Sequence, residues 1–487
     1  YNIKTGWQQS KYISLMNKNE IIVYLKENKL EELKKILMSY ENKRDEFFEE
    51  IKSKEGLLEE LKEVAFQEKN LVIKNLKNFS SIDEEYIYYI FEGICKNEKI
   101  NLKDIDILLL FISQLLKRDI WNEKESYLRV KSKIADVLNF IFRNLKDKKN
   151  IEKRLLKLFQ INKIILEKLP IEISKEEDII LFGLNSKKGR YLEILLRINL
   201  KLKQIASEKL PEILEFSKNY LETKFEEKDD NINYIIGVYV RQLLYLDKEW
   251  LKDKKKLFFN IEDKLSFWKI MGAYLLGNSN LYKDLYEFMK EEYKIATNLL
   301  GIGGLKYESR LVEHLVIGYI YYGDKLIYTL MEICSEELLE KIIRFISYYD
   351  EKIDNNKLKS IWKRILRIGK SESNIPMLTF KFMDKIKNIN EETLKLIDLI
   401  VEKQDKGINL DNEIYLDWLD EKLEENKVNK EELKGYYKII KKLGENKILF
   451  SNFLDKLTLE KLIKVLEENG LNPQATTLKD IYLNILI

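Results

Sequence analysis

Histidine occurs once in this chain, cysteine twice and proline four times, and each scarcity excludes a class of protein. A zincin needs a second histidine four residues after the first, but Gly318 stands four residues after His314. With Cys95 and Cys334 far apart, no structural or catalytic zinc site can be assembled from the spacing. Both cysteines sit in apolar helical segments and are expected to be buried free thiols of a reducing cytosol. The longest apolar runs, such as Ile107–Ile112 and Leu315–Tyr322, fall far short of the ~20 residues that span a bilayer. No secretory signal is recognisable. A charge excess is missing as well: Lys+Arg 85 against Asp+Glu 82 gives a net +3, which argues neither for nor against a local basic patch.

What remains is the profile of long helices, because only 4 prolines and 18 glycines interrupt 487 residues that are 45% hydrophobic and 34% charged. That length exceeds one ordinary domain and implies several domains or a repeat array. The chain begins at Tyr1, without methionine, and is expected to be the trailing part of a longer polypeptide. Residues 1–14 read as an opening loop anchored by Trp7. From Asn19 onward helical signals follow one another. Ser81-Ile82-Asp83-Glu84 and Ser174-Lys175-Glu176-Glu177 have capping-box spacing. Gly369, Gly407, Gly444 and Gly470 stand where helical patterns end. Leu339, Ile342, Ile343 and Ile346 form one apolar stripe, and Leu394, Ile397, Leu399 and Ile400 another, after the capping candidate Asn390.

No segment shows sustained period-two alternation between hairpin turns, so strands should be rare. The expected fold is all-α: an irregular α-solenoid of stacked antiparallel helix pairs, a HEAT/TPR-like superhelix, or two helical lobes. The polar run Lys224–Asn233 suggests lobes at 1–228 and 229–487, with Lys370–Asn374 as a second break. Most of the 28 tyrosines and 21 phenylalanines lie beside aliphatics at helical spacing and belong to the core.

The stretch Phe267–Tyr322 holds the ingredients of an active site: His314, the glycines Gly301, Gly303 and Gly304, and a dense set of aromatics. Each fails its chemistry. A phosphate loop requires G-x-x-x-x-G-K-[ST] after a strand, and here Lys306 is followed by Tyr307. The acidic pairs Asp104/Asp106, Asp229/Asp230 and Asp417/Asp420 read as solvated helix faces. The basic clusters Lys146-Asp147-Lys148-Lys149 and Lys252–Lys256 have acidic neighbours and read as surface. No catalytic, cofactor-binding or metal residue is assigned, no cofactor is expected, and Trp268, Tyr274, Tyr293, Glu313, His314 and Tyr319 read as packing and bracing positions.

Several stretches in a shared order resemble one family, the large C-terminal helical sensor region of bacterial antiviral STAND-type ATPases and related multi-domain defence proteins. Leu184-Asn185-Ser186-Lys187-Lys188-Gly189-Arg190-Tyr191-Leu192-Glu193-Ile194-Leu195 resembles its N-[ST]-x-x-G-x-A-x-E-A-L segment. Ile236-Gly237 through Leu244, with Leu246-Asp247 and Trp250-Leu251, resembles its G…L…LD…W helix. Phe258-Phe259, Phe267-Trp268 with Ala273-Tyr274, and Tyr293 and Ala296 follow in order. Leu311, Glu313-His314 and Tyr319 come next, then Leu462, Leu466, Gly470 and the closing 478–487 helix. Two departures stand out: Tyr191 replaces a small residue, and Asn260 stands where proline is usual.

The resemblance implies a cytoplasmic, non-enzymatic region. It would bind a viral protein and release an NTPase module, outside this segment, to oligomerise and switch on an effector. No membrane contact is expected, and nucleic acid is disfavoured as a partner. The alternatives are a general protein–protein scaffold subunit or a nucleic-acid-binding α-solenoid.

Overall fold

The computed structural model describes residues 16–27, 29–39, 54–80, 82–117, 125–145, 150–175, 178–302, 304–349, 353–369, 375–386, 391–404, 419–420, 422–424, 428–445 and 453–486. Among these residues every regular element is a helix and none is a strand, which is the all-α class expected. The chain forms two compact units, Tyr1–Phe258 and Phe259–Ile487.

In the first unit the helices are α1 (Lys18–Lys26), α2 (Leu30–Ser39), α3 (Lys54–Gln67), α4 (Lys69–Asn75), α5 (Glu84–Cys95), α6 (Leu102–Leu115) and α7 (Glu125–Asn144). They continue with α8 (Ile151–Lys168), α9 (Ile179–Asn185), α10 (Lys187–Gln204), α11 (Leu210–Glu226), α12 (Asp230–Leu246) and α13 (Lys248–Phe258). Short polar side chains start them. Asn17 and Glu20 make a reciprocal capping box at α1, and Asp83, Asn101, Asp178, Ser186 and Asp229 accept backbone N–H groups at α5, α6, α9, α10 and α12. Of the two boxes expected from sequence, Ser81 lies outside the described residues. The second includes Glu176 and Glu177, which also lie outside them, and Asp178 caps α9.

Packing follows a regular rule. Helices α3, α5, α7, α10 and α12 stack each on the next, and α4, α6 and α8 do the same beside them, with α8 closing on α10. Contact between alternate helices is how stacked helical hairpins share a core, the solenoid-like arrangement expected. Ile134, Leu138 and Ile141 of α7 and Leu155 and Leu158 of α8 are fully buried. Each such side chain contributes about 1.5–3 kcal/mol relative to exposure.

The second unit contains α14 (Lys264–Gly277), α15 (Lys283–Phe288), α16 (Lys290–Asn298), α17 (Gly304–Ile317), α18 (Leu326–Ile333) and α19 (Glu336–Tyr348). It then runs through α20 (Asn355–Ile368), α21 (Ile375–Leu378), α22 (Glu391–Gln404), α23 (Lys430–Glu445), α24 (Phe453–Glu468) and α25 (Asn472–Leu486). Here α14, α17 and α19 form one stack, and α16, α18, α20, α22 and α23 another. The stripe Leu339, Ile342, Ile343 and Ile346 is buried as expected. On α22 the buried face is Thr393, Leu396, Ile397 and Ile400, so Leu394 and Leu399 sit at its margins. Gly470 ends α24 with a left-handed φ of 70°, whereas Gly444 lies inside the last turn of α23 against Ile481. Gly407, Asn390 and Lys370–Asn374 lie outside the described residues.

The division into units falls after Phe258, not after Lys228. The run Lys224–Asn233 is no linker: Asp229, Asp230, Asn231 and Asn233 are all buried at the turn from α11 into α12.

Candidate functional site

In the first unit, the stretch after α8, the start of α10 and the start of α12 converge on a buried polar cluster. Lys188, in the first turn of α10, is ion-paired with Asp229, the N-cap of α12, and neither side chain reaches solvent. Two charges removed from water are tolerated only when their other hydrogen-bonding positions are met. Asp229 Oδ1 accepts the Asn231 N–H at 3.1 Å and Asn231 Nδ2 at 3.0 Å. Asn231 Nδ2 also donates to Glu172 Oε2 at 3.1 Å, and Ser186 Oγ donates to the same oxygen at 2.6 Å. Asp230 accepts the Ser174 N–H at 2.7 Å and Asn233 Nδ2 at 2.8 Å. Asp229 and Ser186 cap α12 and α10, so the carboxylates lie where unpaired N–H groups and the helix dipole favour anions. Asp229 is therefore a buried cap and Asp230 a buried acceptor in the first turn of α12, and neither belongs to the solvated face expected from sequence.

Glycine makes the convergence possible. A Cβ on Gly189 would overlap the Gly183 carbonyl, and one on Gly183 would enter the Tyr234 ring. Helix propensity alone favours alanine over glycine by about 1 kcal/mol. Gly189→Ala is nevertheless expected to destabilise this unit by about 1–3 kcal/mol, because backbone cannot yield as a side chain does. A denaturant midpoint that is unchanged or raised would show that α9 and α10 part freely.

The second unit has its own buried chain of polar groups. His314 Nε2 faces the Leu275 carbonyl at 3.1 Å, His314 Nδ1 faces Tyr293 Oη at 2.8 Å, and Tyr293 Oη is 2.7 Å from Tyr274 Oη. A carbonyl only accepts, so Nε2 carries the proton and Nδ1 accepts from Tyr293, which accepts in turn from Tyr274. Burial drives the imidazole pKa down to about 3. Burial also pushes the Tyr274 and Tyr293 phenols up. The Tyr286 ring stacks on Tyr293 at 5.0 Å and reaches over Gly318, where α17 widens into a π turn (Gly318–Tyr322). Lys357 Nζ donates to the Ile320 carbonyl of that turn at 2.6 Å.

A neutral histidine with both nitrogens engaged and no solvent access is bracing, not a general base. Trp268, Tyr274, Tyr293, His314 and Tyr319 are buried, as read from sequence. Glu313 is not: it pairs with Arg310 on a partly exposed surface. Gly301 and Gly304 take φ of 89° and 73°, but the Gly301 N–H donates to Glu308 Oε1 at 2.5 Å, so a carboxylate occupies the donor a phosphate would need. Asp106 holds Arg154 bidentately at 3.0 and 2.7 Å, and Asp420 meets Lys461 at 2.7 Å. In the 252–256 cluster Lys252 pairs with Glu249 and Lys254 with Glu222. Lys146–Lys149 and Asp417 lie outside the described residues. Both thiols are free and half-buried, and burial pushes Cys95 up to about 12 and Cys334 to about 11, which leaves them poor nucleophiles at neutral pH.

Two surface features escape the sequence reading. One is an open groove of about 650 Å³ lined by Lys69, Lys99, Arg143, Asn70, Asn101 and Asn144, with Glu98 as its one acid among the described residues. The other is the non-helical stretch 169–175 after α8, which carries exposed Ile171 and Ile173. An apolar cleft among α10, α11, α12 and α13 encloses about 20 Å³, room for one water at most. Among the described residues no group of three or more His, Cys, Asp or Glu is placed to hold a metal ion, and no helix is long and apolar enough to cross a membrane. Searches against family models, curated proteins and solved structures find no match to this chain.

Proposed function

We propose that the chain is a non-enzymatic recognition and autoinhibitory region of a bacterial antiviral defence protein. It binds a viral protein in the cytoplasm and relays that event to an NTPase or effector module outside this segment. One observation carries the reading: several of the residues on which the family resemblance rests lock consecutive helices together. Ser186 caps α10, Gly189 abuts Gly183, Glu193 accepts the Tyr234 hydroxyl, and Tyr274, Tyr293 and His314 form one directed hydrogen-bond chain. Tyr191, the departure from the pattern, fills the core and donates to the Lys131 carbonyl of α7. Groups that could act chemically are thus consumed by packing, and selectivity falls to the helix surfaces. Stacked helix pairs can relay binding if the partner prefers one of two arrangements of the stack. Affinity capture with this chain from phage-infected cells is expected to enrich one phage-encoded protein over an uninfected control. Enrichment of a constitutive host subunit instead, across several phages, would replace the sensor with a general scaffold.

The basic groove of Lys69, Lys99 and Arg143 favours a second reading, a nucleic-acid-binding solenoid. That reading requires duplex affinity that falls steeply with salt, and an absence of binding at low salt removes it.

A further inference from the structure

We propose that the groove between α4, the turn into α6 and the end of α7 is an anion site for a small ligand carrying two or more phosphate groups. The site does not depend on the antiviral reading. Three separate parts of the chain build it: Lys69 opens α4, Lys99 and Asn101 lie in the turn into α6, and Arg143 and Asn144 end α7.

Hydrogen bonds fix the turn between its neighbours. Lys69 Nζ donates to the Lys99 carbonyl, and the Ile100 N–H donates to Asn144 Oδ1 at 3.1 Å. Asn97 Nδ2 donates to the Phe66 carbonyl at 3.2 Å, and Asn144 Nδ2 to the Phe140 carbonyl at 3.0 Å. A turn clamped from both sides cannot fold down into the recess. The groove of about 650 Å³ is therefore preformed, and its size is that of a small-molecule site.

The fold leaves charge over in this recess. Elsewhere arginines are committed to carboxylates: Arg154 to Asp106, Arg190 to Asp136, Arg310 to Glu313 and Arg364 to Glu332. Arg143 and Lys99 are exposed, and among the described residues neither side chain has a hydrogen-bond or ion-pair partner. Glu98 lines the same recess and is likewise unpaired, so it does not neutralise them. Asp104, in the first turn of α6, is buried and accepts Asn101 Nδ2 at 2.6 Å. Burial pushes its carboxyl up, and the Lys69 charge is among the influences that oppose this. Lys69 thus serves the fold, while Lys99 and Arg143 are left to meet a ligand.

Two uncompensated cations, one a guanidinium whose fork matches paired phosphate oxygens, select an anion of high charge density. They come from different elements, so one phosphate group can meet each. Among the described residues of the lining none is aromatic, and a nucleobase finds no stacking partner. A duplex calls for cations spread along a face, and these are gathered in one recess.

The probe is inorganic pyrophosphate, titrated by calorimetry against the whole chain at low salt. It is expected to bind at least tenfold more tightly than inorganic phosphate or citrate. Lys99→Gln and Arg143→Gln should each weaken it at least tenfold with an unchanged circular-dichroism melt, because both side chains are exposed and hold no other element. Glu98→Gln should tighten it, by removing the one repelling charge. Adenosine diphosphate is expected to bind no more tightly than pyrophosphate. No binding by the wild type, equal binding by the two cation variants, or equal affinity for citrate overturns the proposal. So does a tenfold gain for the nucleotide, which would place a base contact in the groove. A short duplex that displaces pyrophosphate at lower concentration would hand the groove to nucleic acid and overturn it as well.

Discussion

Lys188→Ala is expected to cost the Tyr1–Phe258 unit about 3–5 kcal/mol, because it leaves the Asp229 carboxylate buried without its counter-charge. Against a typical total stability of about 5–15 kcal/mol, such a loss is enough to leave the unit partly unfolded at physiological temperature. Asp229→Ala should be at least as damaging, since Asp229 also caps α12 and a lost cap costs about 1 kcal/mol by itself. The two effects can be separated. Asp229→Asn keeps an oxygen for the Asn231 N–H and removes only the charge, so it isolates the ion pair from the cap. If charge pairing dominates, the double variant Lys188→Met/Asp229→Asn loses less stability than Lys188→Ala alone, because no buried charge is left unmatched. Urea unfolding of the wild type and the four variants, followed by the transition of this unit, measures these differences. A cost below about 1 kcal/mol for Lys188→Ala would mean that water reaches the pair and that the convergence of α9, α10 and α12 is held by packing alone.

That cluster also marks the limit of what the sequence discloses. Helical class, the stripe on α19 and the end of α24 at Gly470 are legible because each depends on neighbours within a turn or two, and the bracing role of His314 is legible by elimination, since no second histidine stands at metal-ligand spacing. The burial of Asp229 and Asp230 is not. Ten consecutive mostly polar residues resemble a linker, and only the approach of Lys188 and Glu172 from distant parts of the sequence makes them core. A local signal did exist. Asp229 and Asn231 stand directly before the apolar run of α12, at N-cap spacing, and a cap on a buried helix must itself be buried. The boundary between units failed in the same way, since a polar run and a solvent-exposed run are different things until long-range contacts are known.

His314 allows the second large effect to be read without ambiguity, because it is the only histidine in the chain. Its pKa is held down to about 3 by burial, so the folded Phe259–Ile487 unit keeps it neutral while the unfolded chain protonates it near pH 6.5. A depressed folded pKa contributes stability that is fully present above the unfolded pKa and is lost as pH falls towards the folded one. Stability should therefore decline from about pH 6.5 downward by about 1.4 kcal/mol per pH unit, or about 2 kcal/mol by pH 5. Other groups titrate in this range, so the quantity to measure is the difference between wild type and His314→Gln. The glutamine can keep a donor for Leu275 and an acceptor for Tyr293 but binds no proton. Nitrogen and proton NMR of the single imidazole should show Nε2 protonated and no titration between pH 8 and 5. Tyr293→Phe attacks the same chain from its centre: it strands both His314 Nδ1 and the Tyr274 hydroxyl in the core, at about 1–3 kcal/mol for each unpaired group. An imidazole that shifts below pH 7, or a stability difference between wild type and His314→Gln that stays constant as pH falls from 6.5 to 5, would mean that water reaches the ring, and the bracing role of this histidine would have to be abandoned.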